Sequence, residues 1–299
     1  MLRCWRFVVI WVILLAACVP KSTEESSTPL SGPTPDPDVE TWVPEAFPPT
    51  GAERIVFFGD SITAVYGLNN PDNGYPSLLL GEDSDRWPEH EGGDLVDRFG
   101  ALDVLDISRD GATTDTVLSS QLPGVEAAWG PVISGPTLVV GTIGGNDALN
   151  ALLSADSFEE TRAQMIDNLS RIVDFFQDEA RFPDGSYLYL TNVYEPTDGT
   201  GQVPECFYGL DMTLVLPELE ATNEAMLGLA QEQGWAWVDL HGHFLGHGFR
   251  HEDPNVAQHD DEDPSLWLQD DCIHPNARGH HEIRRLFLAA VDAEPLALP

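Results

Sequence analysis

Lysine is almost missing from this 299-residue chain: Lys21 stands alone beside 13 arginines, against 50 acidic residues, and the net charge is -36. A surface that negative repels phosphates, so nucleic acid and anionic headgroups are disfavoured as partners. Cysteine is scarce too. Four are too few for a disulfide scaffold of this length, and no CxxC occurs. No repeat recurs at periods of 20 to 50 residues, and neither HExxH nor an EF-hand pattern is present, so no sequence motif calls for a metal or other cofactor. Long apolar runs are limited to one, Phe7 to Ala17, whose eleven residues fall short of the roughly 17 to 25 a spanning helix needs. What remains is 42% apolar and 9% aromatic, a composition that folds.

The short apolar run follows Arg3 and Arg6 and ends in Leu15-Ala16-Ala17-Cys18. This ending resembles the lipobox of bacterial lipoproteins. It implies a signal peptide over 1–17, lipidation of Cys18 and anchoring of an exported protein to a membrane by that lipid alone. Residues 18–50 carry Pro, Ser, Thr and Glu without periodic apolar positions, as an extended tether does. Residues 51–299 are then expected to form one domain, and a monomer.

Within that domain, brief apolar runs alternate with longer helical patterns. Residues 54–58, 102–107, 137–143, 186–193 and 235–240 read as buried strands, rich in β-branched and aromatic residues and bounded by Gly, Pro or Asp. Ser157 and Glu160 have capping-box spacing ahead of an apolar face of Ile166, Leu169, Ile172, Val173 and Phe176. Ile283, Leu286, Phe287, Ala290 and Val291 repeat that spacing near the C-terminus. The alternation predicts a three-layer α/β/α fold around a five-stranded parallel sheet, with ligands outside the carboxyl ends of the strands.

The unusual residues stand at those ends. Gly59-Asp60-Ser61 follows the first strand, with Asp60 expected to organise the turn. Ser108 to Thr113, containing Gly111, follows the second. Gly144-Gly145-Asn146-Asp147 follows the third. Asp271-Cys272-Ile273-His274-Pro275 precedes the last helix, and Pro275 keeps Asp271 and His274 in a loop. Taken singly, each motif is an ordinary turn or helix cap. In this order, the four resemble the SGNH hydrolase superfamily, the GDSL-type esterases and lipases, from about residue 53 to 291. The resemblance implies a flavodoxin-like fold, Ser61 as nucleophile, His274 as base and Asp271 as its orienter. It also implies an oxyanion hole from the N–H groups of Ser61 and Gly111 and the amide of Asn146. No GxSxG elbow occurs, which disfavours the lipase-type α/β-hydrolase fold.

The superfamily embraces carbohydrate acetylesterases, short-chain esterases, lysophospholipases, thioesterases and acyltransferases. With no long apolar lid between the motifs, short acyl or acetyl-carbohydrate esters are the expected substrates. Two rival readings carry their own residues. Eight of nine histidines lie in 241–281, and His241, His243, His247, His251 and His259 beside several acids could hold a cation, or form a solvated loop walling the site. A non-catalytic carbohydrate-binding lipoprotein would use Trp235, Trp237 or Trp267 for stacking, with loop residue Trp267 the best placed. Finally, Cys206 and Cys272 are the two cysteines left once Cys4 and Cys18 are assigned to the N-terminus, and in an oxidising compartment they are expected to pair.

Overall fold

The computed structural model describes residues 51–81, 86–88, 93–153, 157–202 and 211–292. The chain divides into Met1–Gly32 and Pro33–Pro299, and every described residue belongs to the second unit. The signal segment, Cys18, the tether and Cys206 lie outside the described residues.

Five strands form one parallel sheet: β1 (Arg54–Gly59), β2 (Asp103–Asp106), β3 (Thr137–Thr142), β4 (Ser186–Thr191) and β5 (Ala236–Val238). Their order is β2-β1-β3-β4-β5, so the chain reverses its direction of travel across the sheet between β1 and β3. The helices are α1 (Tyr75–Leu80), α2 (Leu95–Phe99), α3 (Thr114–Thr116), α4 (Leu122–Trp129), α5 (Gly145–Leu153), α6 (Phe158–Gln177), α7 (Leu216–Gln233), α8 (Leu240–Phe244) and α9 (Ala277–Asp292).

Period-two alternation on the strands explains the layers. Val56 and Phe58 point to one face, where they pack with Leu169, Ile172 and Phe176 of α6 and Met226 of α7. Ile55 and Phe57 point to the other, against Ile283 and Phe287 of α9 and Leu79 of α1. Helix α6 begins where its sequence says it should: the Ser157 hydroxyl accepts the Glu160 N–H at 3.1 Å. Its apolar stripe is then buried against the sheet, Phe176 completely. Burying such a ring stabilises the fold by about 1.5–3 kcal/mol, and Phe176→Ala would cost about 3–5 kcal/mol once the cavity is included.

Three expectations change on contact with the structure. The second strand, expected to be buried, is a sheet edge whose residues are largely exposed: among the described residues no strand lies beyond it, and Val104 is left uncovered while Leu105 packs on the core. The fifth spans three residues rather than six, since Asp239 caps α8 by accepting the Gly242 N–H at 2.9 Å. Trp267, expected on the surface, is 3% exposed. Its ring stacks on His247 at 3.4 Å between centroids and meets Phe244 edge-on. With Trp235 and Trp237 also buried, none of the three offers a stacking platform to a saccharide.

Candidate active site

The sheet being parallel, every strand delivers its carboxyl end to one side, and the singled-out residues collect there. After β1 the chain turns sharply at Gly59, whose φ is +116° and where a Cβ would lie 2.0 Å from the Thr142 carbonyl oxygen. The Gln121 side chain clamps this glycine from the far side. Its Oε1 accepts the Gly59 N–H and its Nε2 donates to the Gly59 carbonyl, both at 2.8 Å. Asp60 then turns inward, where its Oδ1 accepts the Ile62 N–H at 3.1 Å and the Thr142 hydroxyl at 2.9 Å. Burial pushes the Asp60 carboxyl up to about 7, against the lowering effect of those two bonds. Ser61, one residue on, therefore faces outward at the end of the sheet, 9% exposed.

His274 reaches Ser61 across 213 residues, with Nε2 2.8 Å from Oγ. Its other nitrogen, Nδ1, is 2.6 Å from Asp271 Oδ2. The second oxygen of Asp271 accepts the backbone N–H groups of Ile273 and His274, at 3.0 and 2.9 Å. Although burial works to raise it, these bonds and the imidazole together hold the Asp271 carboxyl below the usual range. The loop is itself pinned. Gln269 N–H donates to the His274 carbonyl at 2.8 Å, Asn276 N–H to the Trp267 carbonyl at 2.8 Å, and the Tyr194 hydroxyl to the Ile273 carbonyl. Tyr66, half exposed, lays its ring beside the imidazole at 4.6 Å between centroids.

Gly111 sits in a turn with φ +70°, and Asn146 lies in the first turn of α5 rather than in a loop. The Asn146 amide nitrogen donates to the Ala112 carbonyl at 3.0 Å, which uses one of its two hydrogens. Among the described residues the backbone N–H groups of Ser61 and Gly111 have no acceptor within the protein. Asn146 lines the same crevice as Ser61, whose hydroxyl is itself in contact with an imidazole. Such a set can take a proton from an oxygen nucleophile and receive negative charge on a neighbouring oxygen.

Several contributors carried no usable sequence signal. Gln121, Thr142 and Tyr194 belong to none of the motifs read from the sequence and are found only by contact. Asp147 stood beside Asn146 in the Gly-Gly-Asn-Asp run, yet its role depends on Thr114, 33 positions earlier: it accepts that residue's hydroxyl at 2.7 Å and its N–H at 3.0 Å.

The histidine-rich segment does something other than wall this site. His243 binds the buried Glu282 at 3.0 Å, His241 lies 3.1 Å from the Asn223 amide nitrogen, and His251 and His259 bond to backbone carbonyls at 2.7 and 2.8 Å. Among the described residues no three His, Cys, Asp or Glu side chains group to hold a metal. The wall beside Ser61 comes instead from α5, α6, α7 and the residues after β4.

A flavodoxin-like parallel sheet carrying serine, histidine and carboxylate at its carboxyl end defines the SGNH class of hydrolases. This chain belongs to the GDSL-like lipase/acylhydrolase family, which it matches over residues 57–282, and is a carboxylic ester hydrolase. A variant of Axe2, an acetyl-xylooligosaccharide esterase from Geobacillus stearothermophilus, shares 18% identity with a TM-score of 0.53, covering 85% of this chain and all of that one. An extracellular lipase from Streptomyces rimosus shares 20% identity, with a TM-score of 0.49, 80% of this chain covered and all of the other. For TesA the values are 22% and 0.47, with 81% and 99% covered. At these identities the likeness concerns the fold. Comparison with curated proteins finds no match.

Proposed function

We propose that the protein is a serine esterase that hydrolyses acyl esters, short and acetyl-carbohydrate esters among them, through an acyl-enzyme intermediate. The observation that carries this reading is the unbroken line from Asp271 through His274 to Ser61, at 2.6 and 2.8 Å. A serine hydroxyl is a weak nucleophile until a base removes its proton during attack. His274 Nε2 takes that proton as Ser61 Oγ bonds to the ester carbonyl carbon. The carbonyl oxygen, now negative, is received by the N–H groups of Ser61 and Gly111 and the free amide hydrogen of Asn146. The intermediate collapses, the C–O bond to the alcohol breaks, and His274 hands its proton to the departing oxygen. Water then repeats the sequence on the acyl-enzyme, releasing the acid and Ser61. Asp271, held ionised, fixes the imidazole tautomer and stabilises the imidazolium without taking the proton.

The test is p-nitrophenyl acetate turnover together with labelling by a fluorophosphonate. Wild type should turn over and be labelled once, at Ser61. Ser61→Ala should do neither while keeping its circular dichroism spectrum. Turnover retained by that variant, or labelling elsewhere, overturns the assignment.

Outside the catalytic residues, the sequence supports an exported lipoprotein with signal 1–17, lipidated Cys18, a tether over 18–50 and the hydrolase domain over 51–299. Loss of labelled palmitate incorporation in Cys18→Ala is the expected result. Pairing of Cys206 with Cys272 is supported by the burial of Cys272, which is 4% exposed. Thiol titration of the denatured, unreduced protein should find neither cysteine reactive.

A further inference from the structure

Beside Ser61 a crevice, partly open to solvent, runs between α5, α6 and α7. Its exposed lining is largely apolar, with polar residues such as Thr161, Asn192 and Thr222 among it. Leu149 and Leu152 of α5, Met165 of α6, and Val215, Leu216 and Leu219 at the start of α7 all face it. An apolar hollow with a few polar groups at one end is how small-molecule sites are commonly built. The charged side chains on its wall are already engaged. Arg162 binds Glu218 at 2.8 Å, and Glu195 accepts the N–H groups of Thr197 and Gly199 at 2.5 and 2.6 Å. They offer little to a saccharide hydroxyl, whereas the aliphatic wall gains by excluding water.

The crevice also has a side. Ser61 and Asn146 line it, and the loop that carries the base contributes Cys272 and Ile273, while His274, Asp271 and Tyr66 do not line it. In acyl transfer the departing alcohol must stay within reach of the histidine that protonates it. The acyl group, on the other bond of the carbonyl carbon, then points away from the histidine. The hollow opening from Ser61 and Asn146 therefore lies on the acyl side.

We propose that this crevice binds the hydrocarbon chain of the acyl group, and that the enzyme prefers acyl chains of about six to ten carbons to acetyl. The proposal rests on Ser61 being the nucleophile. It revises the expectation drawn from the absence of a long lid. No single segment is long and apolar, yet short apolar stretches from three helices assemble one continuous wall.

The experiment uses the full chain and two ester series. In the first, p-nitrophenyl acetate, butyrate, hexanoate and octanoate vary the acyl chain at constant leaving group. Here kcat/KM should rise about two- to fourfold per methylene as chain is buried. In the second, ethyl, hexyl and octyl acetates vary the alcohol and should show no such rise. Leu216→Trp, which fills part of the crevice, should lower kcat/KM for octanoate more than tenfold and at least five times more than for acetate. Met212→Trp serves if that variant does not fold. A flat or falling acyl series with acetate still hydrolysed overturns the chain-binding proposal, as does a rise confined to the alcohol series. Absence of both ester turnover and fluorophosphonate labelling overturns the esterase reading itself, a result distinct from either.

Discussion

The carboxylate of Asp147 accepts both the hydroxyl and the N–H of Thr114, and its neighbour Asn146 donates to the carbonyl of Ala112. Two consecutive residues of α5 thus grip two positions, Ala112 and Thr114, within three residues of Gly111. Burial pushes the Asp147 carboxyl up, and the bonds from Thr114 oppose the rise. Asn168 Nδ2, from α6, closes the group by donating to the Thr114 hydroxyl at 3.1 Å. The Gly111 N–H and the Asn146 amide are consequently parts of one frame.

On the proposed mechanism, Asp147 is a positioning residue for the oxyanion donors. Asp147→Ala should lower kcat about 10- to 100-fold with KM nearly unchanged, because a displacement near 1 Å is enough for such a loss. Asp147→Asn, which keeps an acceptor for the Thr114 N–H, should recover part of it. Equal loss in both variants, accompanied by a lower melting temperature, would reduce Asp147 to a purely structural role.

Removing the donor itself should be costlier. Asn146→Ala is expected to reduce kcat about 10²–10³-fold. Because charge on the oxygen exists only at the transition state, KM should move little. Steady-state kinetics on p-nitrophenyl acetate decide the point, and an effect confined to KM would reassign Asn146 to substrate binding.

Asp60 gives the fold a dependence on pH. Its carboxyl is raised to about 7, so between about pH 4 and 7 the native state keeps a proton that the unfolded chain has released. Stability from this group is full below about pH 4 and is lost as pH rises toward 7, at up to about 1.4 kcal/mol per pH unit. Asp60→Asn carries no such proton. Its unfolding free energy, measured by urea at a series of pH values, should fall less steeply than wild type over that range. Parallel curves would show that Asp60 is ionised in the folded protein.

His280 works in the opposite sense. It is fully buried, with its Nδ1 accepting the Tyr75 N–H at 3.4 Å; burial, aided by His274, lowers its pKa to about 3. Below about pH 6.5 the unfolded chain binds a proton there that the native state refuses, so stability declines as pH falls from about 6.5 toward 3. In His280→Asn that acid-side decline should be shallower, whatever constant penalty the substitution brings. The same urea series reads it, and an unchanged slope would mean that His280 is protonated in place.

How much of this was legible beforehand depends on how local each feature is. The strands of β1, β3 and β4 announced themselves because a chain buried on both faces must be apolar along its length. Ser61 was visible because a strand ending in Gly-Asp-Ser forces a tight turn. Asp271 and His274 stood out because Pro275 stops helix formation through them, leaving both in one short loop. The start of α6 followed from the capping-box spacing of Ser157 and Glu160. These are consequences of sterics and hydrogen bonding within a few residues, and sequence determines them directly.

The rest was settled by packing between distant segments. The run 102–107 read as a buried strand, and the strand order makes it an edge. Trp267 had the sequence context of a surface aromatic, but His247 and Phe244 meet it from α8 and the residues beyond, and bury it. The histidines of 241–259 looked like ligands or a solvated wall until their partners, Glu282, Asn223 and backbone carbonyls, were brought to them. Asp147 acquires its function from Thr114, and the crevice from three helices none of which is apolar throughout. Which side chains a polar group meets, and which apolar patches close into one surface, depend on how the sheet orders its strands, and that order is set by burial of the whole core.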